Sequence, residues 1–191
     1  MRIFLVLFCL MFASSVAKAD KFYCVLFAPD ALNPKYCHVW GTFVQMKDDK
    51  LVKEVTISWA PRGGWSLLDR KREGYNMSLH ASMRLAENKR ICHWGPYEIE
   101  KDFFDKAEKS YNSYGNYKML DALSRGSAVN CIHRLSELTG TRLVTHVRYG
   151  RWAAVSVYRH YSKAGVLSWT AHGDKVLKAI EVDGYKLRKM D

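Results

Sequence analysis

Asn130-Cys131-Ile132-His133 joins a thiol to a helix-start signal. An asparagine at an N-cap places Cys131 in the first helical turn. There, unpaired backbone N–H groups and the helix dipole favour an anion, so the thiol is expected to ionise more easily. A thiolate is a nucleophile, and it needs an imidazole to manage its proton. His133 follows two residues on, about 200° round a helix, and so does not face Cys131. His38 is the better partner. It opens a run in which Trp40, Phe43 and Val44 are apolar. An imidazole in that setting is either a core histidine with satisfied nitrogens or a base held against a partner. The plainer role for Cys131 is half of a disulfide or a small core residue.

Three segments must converge for the chemistry to exist. One is the strand opened by His38, another is a second strand ending Ile57-Ser58-Trp59-Ala60-Pro61, and the third is the helix opened by Cys131. This arrangement resembles the circularly permuted branch of the NlpC-type, papain-like thiol hydrolases, including the lecithin–retinol acyltransferase-like proteins. Those show a histidine followed by a hydrophobic run at a strand start and a nucleophile in an Asn-Cys-x-His stretch. The resemblance covers about residues 38–61 and 128–138, a minority of the chain. It implies Cys131 as nucleophile, His38 as base, and cleavage or transfer of an acyl group through a thioester. Where the acyltransferase-like members carry another histidine near the end of the second strand, this chain has Ser58, and Arg134 stands where an aromatic residue often follows the second motif. Ser58, Thr56 and His93 are the candidates to orient the imidazole, in that order. A hydroxyl can orient it but stabilises its charged form less than a carboxylate does.

The elements around these residues alternate in an α+β order. Residues 22–28 read as a short strand. His38 to Met46 and Leu51 to Trp59 read as a hairpin about the polar turn Lys47-Asp48-Asp49-Lys50. Asn76 looks like the cap of a helix to about Asn88, with Leu79, Met83 and Ala86 inward. Arg90 to Trp94 forms a strand stopped by Gly95-Pro96, a corner that either aims Tyr97 or Glu98 into a cleft or is simply a rigid turn. Helices follow over Lys101 to Tyr111 (Phe103, Phe104 and Ala107 inward), after Asn130 (Ile132, Leu135 and Leu138 inward, ending at Thr139-Gly140) and over Trp152 to Tyr161. Asp183-Gly184 signals a closing hairpin between Ile180/Val182 and Tyr185/Leu187. The expected fold is a single papain-like α+β domain over 20–191, with a small antiparallel sheet packed against several helices.

The N-terminal segment leads to the expectation that this domain is exported. Arg2, the apolar run Ile3 to Phe12 and Ala17-Lys18-Ala19 read as a cleaved signal peptide over 1–19. Its removal leaves 172 residues, and the loss of Arg2 and Lys18 lowers the net charge from +11 to about +9. No later segment is long and apolar enough to span a membrane. Under oxidising conditions Cys24, Cys37, Cys92 and Cys131 allow two disulfides in three pairings, with Cys24–Cys37 the easiest to close. A working thiol at Cys131 leaves at most one bridge among the others. Cys37-His38 and Cys92-His93 could in principle form a metal site. Adjacent strand residues point to opposite faces, however, so neither pair ligates one ion easily, and no metal or other cofactor is expected.

The expected function is therefore an exported cysteine amidase, peptidase or acyl hydrolase, secreted or periplasmic. Its substrate would be a peptide, peptidoglycan or a lipid acyl group of the cell envelope. The rival is a non-catalytic, disulfide-containing envelope binding or structural protein, favoured by four cysteines and by 11 Tyr, 8 Phe and 6 Trp. The positive charge suits an anionic envelope surface, with mild clusters at Arg70-Lys71-Arg72 and Lys186 to Lys189. Export and the lack of a groove-reading motif argue against nucleic acid.

Overall fold

The structure is a computed structural model that describes residues 19–30, 38–61, 74–86, 90–113, 131–143 and 150–190. In chain order its elements are β1 (Lys21–Pro29), β2 (Trp40–Lys47), β3 (Lys50–Ile57), β4 (Trp59–Pro61), β5 (Gly74–Asn76), α1 (Leu79–Leu85), β6 (Ile91–Ile99), α2 (Lys101–Ser113), α3 (131–137), α4 (Gly150–Lys163), α5 (Gly173–Ala179) and β7 (Leu187–Lys189). Residues 1–18 of the expected signal peptide, the Arg70-Lys71-Arg72 cluster and the Asn130 cap lie outside the described residues, as does Cys37.

A five-stranded sheet in the order β3-β2-β1-β6-β7 forms the middle layer. Both faces of its central strand are buried. Phe22, Cys24, Leu26 and Ala28 of β1 point into a cluster with Phe103, Phe104, Leu135, Ala154 and Val157, so α2, α3 and α4 cover that side. Tyr23, Val25 and Phe27 point the other way, against Leu79 and Met83 of α1 and Val176 of α5. Strand alternation divides one nine-residue run between two cores, which is why the run reads as continuously apolar.

The β2–β3 turn is as tight as its sequence suggests. Asp48 (φ 50°) and Asp49 (φ 59°) both take left-handed backbone, the requirement of a two-residue primed hairpin turn. The Phe103, Phe104 and Ala107 stripe is buried as expected, as are Ile132, Leu135 and Leu138.

Four expectations need correction. The sheet is mixed and not purely antiparallel, because β7 pairs with β6 in parallel. Gly95-Pro96 does not stop its strand. β6 continues to Ile99 by means of a bulge, with Gly95 and Pro96 lying between the pairs Leu26↔Trp94 and Cys24↔Tyr97. Helix α1 is capped by Ser78, whose hydroxyl accepts from Ala81 N at 3.2 Å, while Asn76 lies in β5. The Asp183-Gly184 turn joins no hairpin. Ile180 and Val182 follow α5 into the second core, and the chain then enters β7.

Candidate active site

His38 and Ser58 sit just off the same end of the β2–β3 hairpin, whose last pair there is Gly41↔Ile57. His38 precedes β2 and Ser58 links β3 to β4. His38 Nε2 lies 2.8 Å from Ser58 Oγ, and both side chains are buried. Helix α1 adds a third group. Ser82 stands one turn beyond the cap residue Ser78, so its hydroxyl reaches both the Ser78 carbonyl (3.0 Å) and Ser58 Oγ (2.5 Å).

This chain of hydroxyls has a direction. A carbonyl only accepts, so the Ser82 proton goes to Ser78 O. Ser82 Oγ must then accept from the Ser58 hydroxyl, and Ser58 Oγ from His38 Nε2–H. The network therefore assigns the His38 tautomer with the proton on Nε2. Nδ1 keeps its lone pair and hydrogen-bonds no described residue. It is the nitrogen that can act as a base.

Cys131 approaches from the other side of the sheet, at the start of α3. Its sulfur is 3.7 Å from the Trp59 carbonyl and also hydrogen-bonds with the Val39 backbone. These are the residues immediately after Ser58 and His38, so the structure brings His38 and Ser58 into contact and seats Cys131 against the backbone next to each of them. Gly41 controls the fit of α3. A Cβ at that position would lie 2.7 Å from Leu135 Cδ2.

The electrostatics differ from the expectation of an easily ionised thiol. Burial pushes the Cys131 thiol up to about 12, against backbone hydrogen bonding from Trp59 and Val39 that favours the thiolate. Burial also lowers His38 to about 4. Desolvation outweighs the helix start here because the sulfur has no exposed surface. The resting pair is a neutral thiol and a neutral imidazole. A neutral thiol reacts by general-base catalysis, in which the proton leaves sulfur as the new bond forms.

The other candidates lie elsewhere. Thr56 is engaged with Thr42 (3.0 Å) and donates to Glu54 (2.8 Å). His93 Nδ1 is 2.9 Å from Gly95 O on β6, and His133 Nδ1 accepts from Arg142 at 2.6 Å. Cys24, Cys92 and Cys131 are free, buried thiols. Among the described residues no cluster of three or more His, Cys, Asp or Glu could hold a metal ion, and no helix is long and apolar enough to cross a membrane. Ser78 and Ser82 escaped sequence reasoning. Their only signal is an i, i+4 serine pair beside a buried stripe, and serines so placed usually serve the helix itself. Compared with protein-family models, curated proteins and solved structures, the chain matches none.

Proposed function

We propose that this chain is a cysteine-dependent acyl hydrolase, an amidase or peptidase of papain-like type exported to the cell envelope. Cys131 is the nucleophile, His38 the base, and Ser58 the group that orients His38. The observation that carries the reading is the 2.8 Å contact of His38 Nε2 with Ser58, together with a sulfur seated against the backbone of the next residues, Val39 and Trp59. What supports the reading is that His38 and Ser58 touch and that Cys131 packs against the backbone of the residues following each of them.

In the proposed reaction, Cys131 Sγ attacks the substrate carbonyl carbon while its proton passes to His38 Nδ1. The imidazolium keeps its Nε2–H on Ser58. The oxyanion lies near the Cys131 backbone N–H. Collapse expels the amine or alcohol, which takes the proton from His38 and leaves a thioester. Water, deprotonated by His38, then adds to the thioester, and the departing sulfur recovers its proton. Substrates are peptides, peptidoglycan or lipid acyl groups. The test is hydrolysis of envelope-derived peptides, peptidoglycan fragments and acyl lipids by the full chain and by Cys131→Ala. Cleavage lost in the variant supports the reading; equal cleavage by both ends it.

Complete burial of Cys131, with its thiol near 12, favours a second reading as a non-catalytic envelope protein. That reading expects no turnover by the folded wild type and an unreactive Cys131.

A further inference from the structure

The Gly95-Pro96 bulge does aim an aromatic residue at a cleft. A cavity of about 460 Å³ opens on the β6–β7 side of the molecule and includes neither His38 nor Cys131. Tyr97, Tyr158, Trp169, Thr170, Asp174 and Lys189 are among its lining residues. The Tyr97 and Tyr158 rings stack, with centroids 5.7 Å apart and planes 22° apart, and so make one aromatic wall. Trp169 is 77% exposed, the most exposed large apolar side chain among the described residues. Its backbone is nonetheless fixed. Ser168 exchanges two hydrogen bonds with Glu98, at 2.8 and 2.9 Å, and Thr170 on the other side is buried. An indole held in water on a pinned segment beside an aromatic wall offers a flat apolar face on which a ligand can stack.

The charges define that partner. Asp174 disfavours an anion and Lys189 disfavours a cation. One molecule that suits both, and also the aromatic wall, is a neutral one with an apolar face for stacking and hydroxyls that can donate to a carboxylate and accept from an ammonium. The cavity size fits a small ligand. We propose that this cleft binds a neutral saccharide, with a pyranose face on Trp169 and ring hydroxyls shared between Asp174 and Lys189. The site is formed by β6, α4, α5, β7 and the pair Trp169-Thr170, and its use requires no acyl chemistry.

The experiment is a titration of the full chain, by calorimetry and tryptophan fluorescence, with chitotetraose and maltotetraose. Tetramethylammonium and inorganic phosphate serve as charged probes. The expected result is saturable glycan binding with a change in the emission of an exposed tryptophan. Trp169→Ala should weaken it about tenfold or more, and Asp174→Asn by a smaller factor. Trp169 is exposed, so its removal leaves the core intact, and unchanged circular dichroism confirms this for each variant. The proposal is overturned if neither glycan binds, if Trp169→Ala binds as tightly as wild type, or if the Trp169-dependent response belongs to tetramethylammonium or phosphate.

Discussion

The hydroxyl chain from Ser78 to His38 gives each of its members a separable role. Ser58→Ala removes the acceptor of His38 Nε2–H, and Ser82→Ala removes the acceptor that keeps the Ser58 proton turned away from the ring. Ser58→Ala is expected to lower kcat/KM by about 10²-fold and Ser82→Ala by about tenfold, with the Ser82→Thr variant recovering part of the loss. Steady-state kinetics on a hydrolysed substrate checks the order; equal effects of all three would contradict it. Burial of His38 also has a thermodynamic signature. Its folded value of about 4 lies below the ordinary 6.5, so between those values the unfolded chain binds the proton first. Stability should therefore fall as pH drops from about 6.5 towards 4, by about 3 kcal/mol in full, and level off below. Thermal unfolding of wild type and His38→Gln across that range measures it, the variant lacking this part of the slope. The His38–Ser58 contact was anticipated only through the resemblance, Ser58 standing where the acyltransferase-like members carry a second histidine. The resistance of Cys131 to ionisation was not, because a helix start is visible in sequence whereas the extent of desolvation is set by distant residues.

At the scale of elements, glycines set two close approaches. Gly95 has φ +87°, and a Cβ there would lie 2.8 Å from Tyr97 N and 2.9 Å from Cys24 O. Gly95→Ala should cost about 2–4 kcal/mol in denaturant unfolding, since both neighbours are backbone atoms that cannot move aside. An unchanged midpoint would show that β6 does not depend on the bulge. Gly41→Val should act differently, displacing Leu135 and with it α3, so that hydrolysis falls further than stability does. The hairpin and the inward faces of α1 and α2 were readable from period and turn chemistry. Strand β7 was not, being three residues long and paired with a strand nearly a hundred positions earlier. Gly95-Pro96 looked like a stop because sequence shows the breaker but not the neighbouring strand that accommodates a bulge.

The whole molecule is organised about β1, which belongs to both cores. Side chains on its two faces should therefore report on one unfolding event. Leu26→Ala and Val25→Ala are each expected to destabilise the whole chain, the first by about 2–5 kcal/mol, with tryptophan fluorescence and circular dichroism tracing the same transition. Two separate transitions would mean that the layers fold independently. Asp30, just past β1, ties the ends together by accepting from Arg151 of α4 (3.3 Å) and Arg188 of β7 (3.2 Å). The α+β class was evident from the succession of elements; the burial of the sheet on both faces came from helices whose order along the chain does not reveal their side.

In the proposed reaction Cys131 accepts an acyl group with the help of His38. The most direct measurement is to incubate the native chain with p-nitrophenyl acetate, quench in acid and locate acetyl groups by peptide mass spectrometry. The expected result is acetyl on Cys131 in the wild type and its loss in His38→Gln, with nitrophenolate release falling in parallel. A folded wild type without acetyl on Cys131, or Cys131→Ala releasing nitrophenolate at the wild-type rate, would contradict it.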